Sequence, residues 1–382
     1  MSGPSTAGPS GGASGSAEVG VVTPFWLDRP DTEAVDIAVQ ADRHGFATLW
    51  IGEMATFDAF ALATAVGLAT ERIPLRIGPL AAGVRGPVAV ALGLSSVATL
   101  TGATLTGRAV DIALGASSPA IVTGWHDRPF AAPATRMREF VRALRPVLAG
   151  QRADFDGSQV RAHGFRLRAP VPDTPVTVAA FGPAMTRVAA EEADQVVLNM
   201  VTPEQVARVR AQVDAFAGAV GRPAPRLAVW VPAALELDAA TLRQLAGQLT
   251  VYLAPPGYGE MFTELGHGEL VARARAGAPR SELAGQIPAE LFDAVGLLGP
   301  ASRIADRIAA YHRAGADHVG VVPATAADPA GANLLAALAP LVGTGTGTGA
   351  GTGLSGAPGA GASGAPGAGV LGAGVVGAEP AR

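Results

Sequence analysis

Eight short apolar runs separated by helical patterns restrict the fold of this chain more than any other feature. The runs cover residues 20–23, 47–51, 75–78, 109–114, 175–180, 195–198, 227–231 and 318–322. Continuous apolar runs are typical of strands buried on both faces, and helices between them make the strands parallel. Eight such units predict a closed (β/α)8 barrel. A doubly wound open sheet also alternates strands and helices, but no glycine-rich GxGxxG turn follows any of the runs.

Two insertions and two tails interrupt this alternation. Residues 153–168 alternate polar and apolar around Asp156-Gly157, which predicts a β-hairpin after strand four. Residues 241–292 break into several short helical patterns after strand seven. We therefore expect one barrel domain at residues 19–342. Residues 1–18 and 343–382 consist mostly of Gly, Ser, Ala, Pro and Thr, and this composition predicts disordered tails.

Composition excludes several classes of site. The chain has no cysteine, so disulfides, thiolate nucleophiles and Cys-ligated zinc are absent, and its six histidines form no HExxH pair. We therefore expect no metal. A net charge of −4 gives no basic field for nucleic acid. No apolar stretch reaches the ~18 residues of a membrane span, and the first residues lack a secretory pattern. A cytoplasmic protein is expected.

The residues just after each run are the candidates for chemistry, because active sites of such barrels lie at the carboxyl ends of the strands. Glu53 is the only carboxylate at such an end in the first half of the chain. It suits proton transfer or a polar contact to a cofactor, and equally a place beside a helix start. The segment AAFGPAM, residues 179–185, opens a helix with free amides at Gly182. That arrangement suits phosphate, although Gly-Pro is also an ordinary turn.

Four segments, in this order and spacing, resemble the luciferase-like monooxygenase superfamily in its F420-dependent oxidoreductase branch. They are ADRHGFATLWIGE, DAFALATAVGLATERIPLRIGPLAAGVRGPVAVA, AAFGPAMTRVAAEEADQVVLNM and VGLLGPASRIADRIAAYHRAGADHVGVVP. The similarity runs from about Val21 to Pro323, which is nearly the whole barrel domain. It implies an oxidoreductase that binds the deazaflavin coenzyme F420 and forms a homodimer.

The resemblance also implies residue roles. Glu53 takes the strand-two position that usually faces the cofactor ring, and it is the predicted catalytic residue. The end of strand three falls where the family packs the ring, often through a non-prolyl cis peptide, and the helix start at Gly182 falls where the family binds the phosphate. The predicted cofactor-binding residues are Gly78, Pro79, Leu80, Gly115, Ala116, Ser117, Ser118, Ala180, Phe181, Gly182, Pro183 and Met185. The predicted substrate-pocket residues are Met54, Trp125 and His126.

Three positions depart from the family pattern. Met54 stands where several sugar-phosphate and alcohol dehydrogenases of the family have a histidine base, Ser118 where some have a glutamate, and Gln195 where glycine is usual. The acid/base pair of those dehydrogenases is therefore not evident, which favours a reductase or an unassigned oxidoreductase acting on a small molecule. Two alternatives stay open. One is an FMN-dependent monooxygenase with a flavin reductase partner, and the other is a barrel that binds cofactor without turnover.

The second insertion contains three aromatic residues, Tyr252, Tyr258 and Phe262, for which the sequence allows two roles. They are suited to cover the barrel mouth as an apolar pocket wall. We favour the second role, packing of the inserted helices on the barrel, by about two to one. The substrate is not specified by any of these features.

Overall fold

A computed structural model describes residues 17–26, 28–53 and 57–342. The strands are β1 (Glu18–Val22), β2 (Leu49–Ile51), β3 (Leu75–Ala81), β4 (Val110–Gly115), β5 (Arg152–Asp156), β6 (Arg161–Arg166), β7 (Val176–Ala179), β8 (Gln195–Asn199), β9 (Arg226–Ala234), β10 (Leu297–Leu298) and β11 (His318–Pro323). The α-helices are α1 (Glu33–Arg43), α2 (Ala59–Ala69), α3 (Pro87–Leu100), α4 (Ala103–Thr106), α5 (Pro133–Leu148), α6 (Pro183–Glu192), α7 (Pro203–Ala219), α8 (Ala239–Tyr252), α9 (Tyr258–Phe262), α10 (Gly268–Arg275), α11 (Arg280–Ala284), α12 (Ala289–Val295), α13 (Ala301–Arg313) and α14 (Ala332–Val342).

Eight of these strands form a closed parallel barrel. Their order is β1-β2-β3-β4-β7-β8-β9-β11, and β11 pairs with β1 to close the ring. The predicted (β/α)8 barrel is therefore confirmed. The first insertion carries the predicted hairpin, β5 with β6, and the second carries α8 to α12 and the short strand β10 beside β9.

The strands are apolar because both of their faces are buried. Outward-facing residues such as Leu49, Ile51, Leu75 and Ile77 are fully buried beneath the surrounding helices. Alternate side chains point into the barrel. This double burial produces the continuous apolar runs of the sequence, and burying each such side chain contributes about 1.5–3 kcal/mol.

The inner face of the barrel is more polar than the runs suggest. Trp50 Nε1 donates to His318 Nε2 at 3.0 Å, and Arg76 reaches both Asp111 and Gln195. β3 and β8 are not neighbours, so Arg76 and Gln195 meet across the interior. Burial raises the pKa of Asp111 and lowers that of His318, which favours a neutral imidazole. We assign this cluster to the stability of the barrel, because each charge in it has a partner.

The predicted tails fall almost entirely outside the described residues. Of residues 1–18 and 343–382, the structure describes only Ala17 and Glu18, and Glu18 already begins β1. Within the described part of the chain, no helix is both long and apolar enough to cross a lipid bilayer.

Candidate active site

The ends of β3, β4 and β7 lie side by side at the barrel mouth. A β-carbon on Gly115 would lie 3.1 Å from that of Pro79 and 3.8 Å from that of Ala179. The Ala82 amide donates to the Gly115 carbonyl at 3.0 Å. The structure thus brings the predicted residues of these strand ends together. Because small residues line them, a flat ring could approach the backbone closely here.

Gly78 is required by its surroundings. Its φ is +121°, and a β-carbon there would lie 2.1 Å from the carbonyl oxygen of Ala113. The peptide between Gly78 and Pro79 is cis, so it is a prolyl cis bond and not the non-prolyl one common in the resembled family. Leu80, the third predicted residue of this strand end, is fully buried.

The turn after β4 leads into a π-helix at residues 120–125. Ser117 has a φ of +63°, and the carbonyl of Ser118 accepts from the first amides of the π-helix. Val122 packs on Gly83, so the loops after β3 and β4 meet. Ala116 and Val122 help to line a small crevice there.

Two of the three predicted pocket residues, Trp125 and His126, lie away from the crevice after β4. Trp125, at the far end of the π-helix, is 60% exposed, and His126 is exposed beside it. Neither borders the crevice after β4. Met54 lies outside the described residues. The assignment of these residues to a substrate pocket therefore stays a prediction.

Glu53 forms an ion pair with Arg85. Arg85 Nε donates to Glu53 Oε2 at 3.0 Å, and Arg85 Nη2 contacts both Glu53 and Asp58. These hydrogen bonds raise the pKa of Arg85. Burial would raise the pKa of Asp58, but the charge and hydrogen bond of Arg85, together with the amides of Phe60 and Ala61, outweigh it and lower that pKa. Because Arg85 donates to both carboxylate oxygens of Glu53, this side chain is held in place, which suits a fixed polar contact.

Helix α6 presents an open N-terminus beside these strand ends. Gly182 has a φ of +81°, and apart from its chain neighbours no atom would lie within 4 Å of a β-carbon there. Pro183 occupies the first helical turn, and Thr186 bonds back to the Gly182 carbonyl through its amide and its hydroxyl. Gly182, Pro183 and Ala184 are exposed, whereas Met185 is buried. The first-turn amides face outward with no intrahelical acceptor, which suits an anion.

Aromatic side chains of the second insertion pack beside this helix start. Phe181 stacks on Tyr258 with ring centroids 4.5 Å apart and an interplanar angle of 27°, and Tyr252 lies 4.9 Å from Tyr258. Burial raises the pKa of both tyrosines, against a weaker opposing hydrogen bond from Asn199 at the end of β8. Phe262, in contrast, is fully buried among the inserted helices.

Sequence reasoning gave no role to two polar groups of this site. Arg85 lies in a turn that the resemblance included, but nothing in the sequence linked it to Glu53, 32 positions earlier. Asn199 ends a strand, and its position four residues after the inward-facing Gln195 could have placed it at the mouth. Among the described residues, no group of three or more His, Asp or Glu could hold a metal ion.

Comparisons with known proteins agree with this architecture. A family model described as luciferase-like monooxygenase matches residues 10–318. A 5,10-methylenetetrahydromethanopterin reductase from Methanolobus tindarius is 25% identical over 282 residues, covering 71% of this chain and 83% of that protein. An F420-dependent glucose-6-phosphate dehydrogenase from Mycobacterium avium is 33% identical over 178 residues, covering 42% and 51%.

A solved structure supports the same fold. The coenzyme F420-dependent tetrahydromethanopterin reductase from Methanopyrus kandleri superposes with a TM-score of 0.72 at 20% identity, covering 86% of this chain and 99% of that one. The sequence match covers most of the barrel, and the superposition covers both chains nearly throughout. The chain therefore belongs to the luciferase-like monooxygenase family.

Proposed function

We propose that the protein is an oxidoreductase that transfers hydride between coenzyme F420 and a small organic substrate. The observation that carries this proposal is the continuous surface of small residues at the ends of β3, β4 and β7, which leads to the open N-terminus of α6. This surface suits a flat ring with a phosphate tail. Relatives that are named as F420-dependent support the choice of cofactor.

Each part of the site has a distinct proposed task. Gly78, Pro79 and Gly115 would hold the ring by backbone packing, because hydride transfer depends on close stacking and orientation. Gly182 would leave the α6 amides free for the phosphate. The deazaflavin supplies the hydride when bound. Glu53, fixed by Arg85, would make a polar contact to the cofactor.

The test is a binding titration with a matched control. Purified protein is titrated separately with coenzyme F420 and with FMN, and quenching of cofactor fluorescence is followed. We expect micromolar binding of F420, weakened at least tenfold by Gly182→Val because the side chain would crowd the phosphate. Gly221→Val is the control, since Gly221 also has a positive φ, +69°, and open space around its β-carbon, but follows α7 at the other end of the barrel.

The outcomes separate the candidate functions. Tight binding of FMN alone would refute the deazaflavin and favour the monooxygenase reading. Binding of neither cofactor would refute both enzymatic readings. F420 binding without turnover of any carbonyl, imine or alcohol in a broad screen would favour the cofactor-binding barrel. Equal losses in Gly182→Val and Gly221→Val would refute the phosphate site.

We also propose that the protein forms a homodimer through α2, α3 and α4. None of these three helices contains a charged residue. Their outer face includes Leu68, Leu92, Leu100 and Leu105, which are 52–92% exposed. A contiguous uncharged face of this kind favours a partner that is equally uncharged. A second copy presents such a face, and two-fold symmetry would pair it with itself.

A further inference from the structure

The segment after α8 packs against the end of β7, the fifth strand of the barrel. Tyr258 stacks on Phe181, the residue that immediately precedes Gly182. Gly257 has a φ of +89°, and a β-carbon there would lie only 2.1 Å from the Phe181 ring. The backbone of the insertion therefore lies directly against the ring. Glycine is needed at this position for both its conformation and the close approach.

A second aromatic contact supports the stack of Tyr258 on Phe181. Tyr252 packs against Tyr258 at 4.9 Å, and the Asn199 side chain lies near the hydroxyls of both tyrosines, whose pKa values it lowers slightly against the larger effect of burial. Asn199 ends a barrel strand, and it lies four residues after Gln195, whose side chain points inward. The insertion is thus attached to the rigid barrel at the point where it grips Phe181.

Phe181 directly precedes Gly182, the N-cap residue of α6, so the orientation of its ring affects access to the first amides of this helix. Apart from its chain neighbours, no atom lies within 4 Å of where a Gly182 β-carbon would stand, and Gly182 is exposed, with Phe181 directly before it. A phenyl ring one residue away from an open space can rotate into it and cover exposed amides unless another group holds it. Tyr258 supplies that restraint, because an aromatic pair favours the stacked arrangement by about 2- to 12-fold beyond its area burial.

We propose that Tyr258 is a positioning residue for the cofactor phosphate, which acts by holding the Phe181 ring away from the N-terminus of α6. This inference rests on the proposed function, because it needs a phosphate-bearing cofactor at that helix. It assigns part of the second insertion to cofactor recognition and not only to covering the substrate. Because the proposal places only the phosphate at the N-terminus of α6, Tyr258 should affect binding of the phosphate and not binding of the deazaflavin ring.

The experiment compares two ligands that differ at the phosphate. Fluorescence quenching is measured with coenzyme F420 and with its fragment that keeps the deazaflavin ring and ribityl chain but lacks phosphate. We expect Tyr258→Ala to weaken F420 binding by about 3- to 10-fold and to leave fragment binding unchanged. Tyr258→Phe keeps the stack and should bind both ligands as the wild type does. Tyr258→Leu, which keeps a bulky side chain without a ring, should give the same result as Tyr258→Ala. It replaces Tyr258→Ala in the test if the alanine variant does not fold.

A matched control and the contrary outcomes complete the test. Tyr311 is a buried tyrosine that lies away from Phe181 and Tyr258, and its hydroxyl donates to the Val201 carbonyl at 2.7 Å. Tyr311→Phe removes this hydroxyl and should leave the ratio of the two affinities unchanged. An unchanged ratio in both Tyr258→Ala and Tyr258→Leu overturns the inference, as does an equal loss for both ligands. Failure of the wild type to bind F420 refutes the proposed function instead.

Discussion

The ion pair between Glu53 and Arg85 should contribute measurably to stability. Each side chain is 20% exposed, so the pair lies between a surface pair, at ~0.2–1 kcal/mol, and a buried one, whose rupture costs about 3–5 kcal/mol. The guanidinium donates through two of its nitrogens, and this geometry favours a value just above the surface range. We expect a coupling free energy of about 1–2 kcal/mol.

A double-mutant cycle measures this coupling. Urea unfolding is recorded for the wild type, Glu53→Gln, Arg85→Gln and the double variant, and the coupling is the departure from additivity. The hairpin pair Arg161 and Asp156 is the control, because its side chains are 74% and 69% exposed, and its coupling should be close to zero. A Glu53–Arg85 coupling no larger than that of the control would refute the reasoning. It would also restore Glu53 as an unpaired carboxylate available for proton transfer.

Two further outcomes are expected. Burial would raise the pKa of Glu18, but hydrogen bonds from His318 and Arg226 bring it from 4.5 to about 2. The carboxylate therefore stabilises the fold above pH 4.5 and loses this effect towards pH 2. Glu18→Gln should lower the free energy of unfolding by about 1–2 kcal/mol at pH 6, after allowance for solvent screening, and by less at pH 3. The same loss at both pH values would contradict this assignment. Leu92→Glu should convert a dimer to a monomer in analytical ultracentrifugation, whereas Val220→Glu, at a residue 54% exposed on α7's end, should not; a monomeric wild type or a dimeric Leu92→Glu would contradict the interface.

The barrel could be predicted because its pattern is local. Each strand is buried on both faces and each helix on one, so every unit shows its own period regardless of its partners. The strand ends followed from the same pattern, since a closed parallel barrel brings all carboxyl ends to one mouth. The exposed helix start at Gly182 was readable for a similar reason, because Pro183 and the absence of a side chain at Gly182 act within one turn.

The remaining parts depend on three-dimensional neighbours. The Arg85–Glu53 pair depends on the paths of two loops, which no periodic pattern encodes. Trp125 and His126 were predicted to line a pocket because they follow strand four, and their exposure in the structure leaves that prediction open to test. The contacts of the insertion aromatics also depend on three-dimensional neighbours, because Tyr258 packs on Phe181 at a strand end whereas Phe262 is buried among the inserted helices.

The closure of the barrel between β1 and β11 sets the timing of folding during synthesis. Glu18 and His318 meet across 300 positions of sequence, and Trp26 donates to the Pro323 carbonyl at 2.9 Å across 297. A ribosome adds roughly 5–20 residues per second, so on the order of 15–60 s separate the synthesis of the two strands. Throughout that interval the edge of β1 has no partner from its own chain. An apolar, unpaired edge can recruit strands from other chains, so aggregation competes with folding until the last strand arrives.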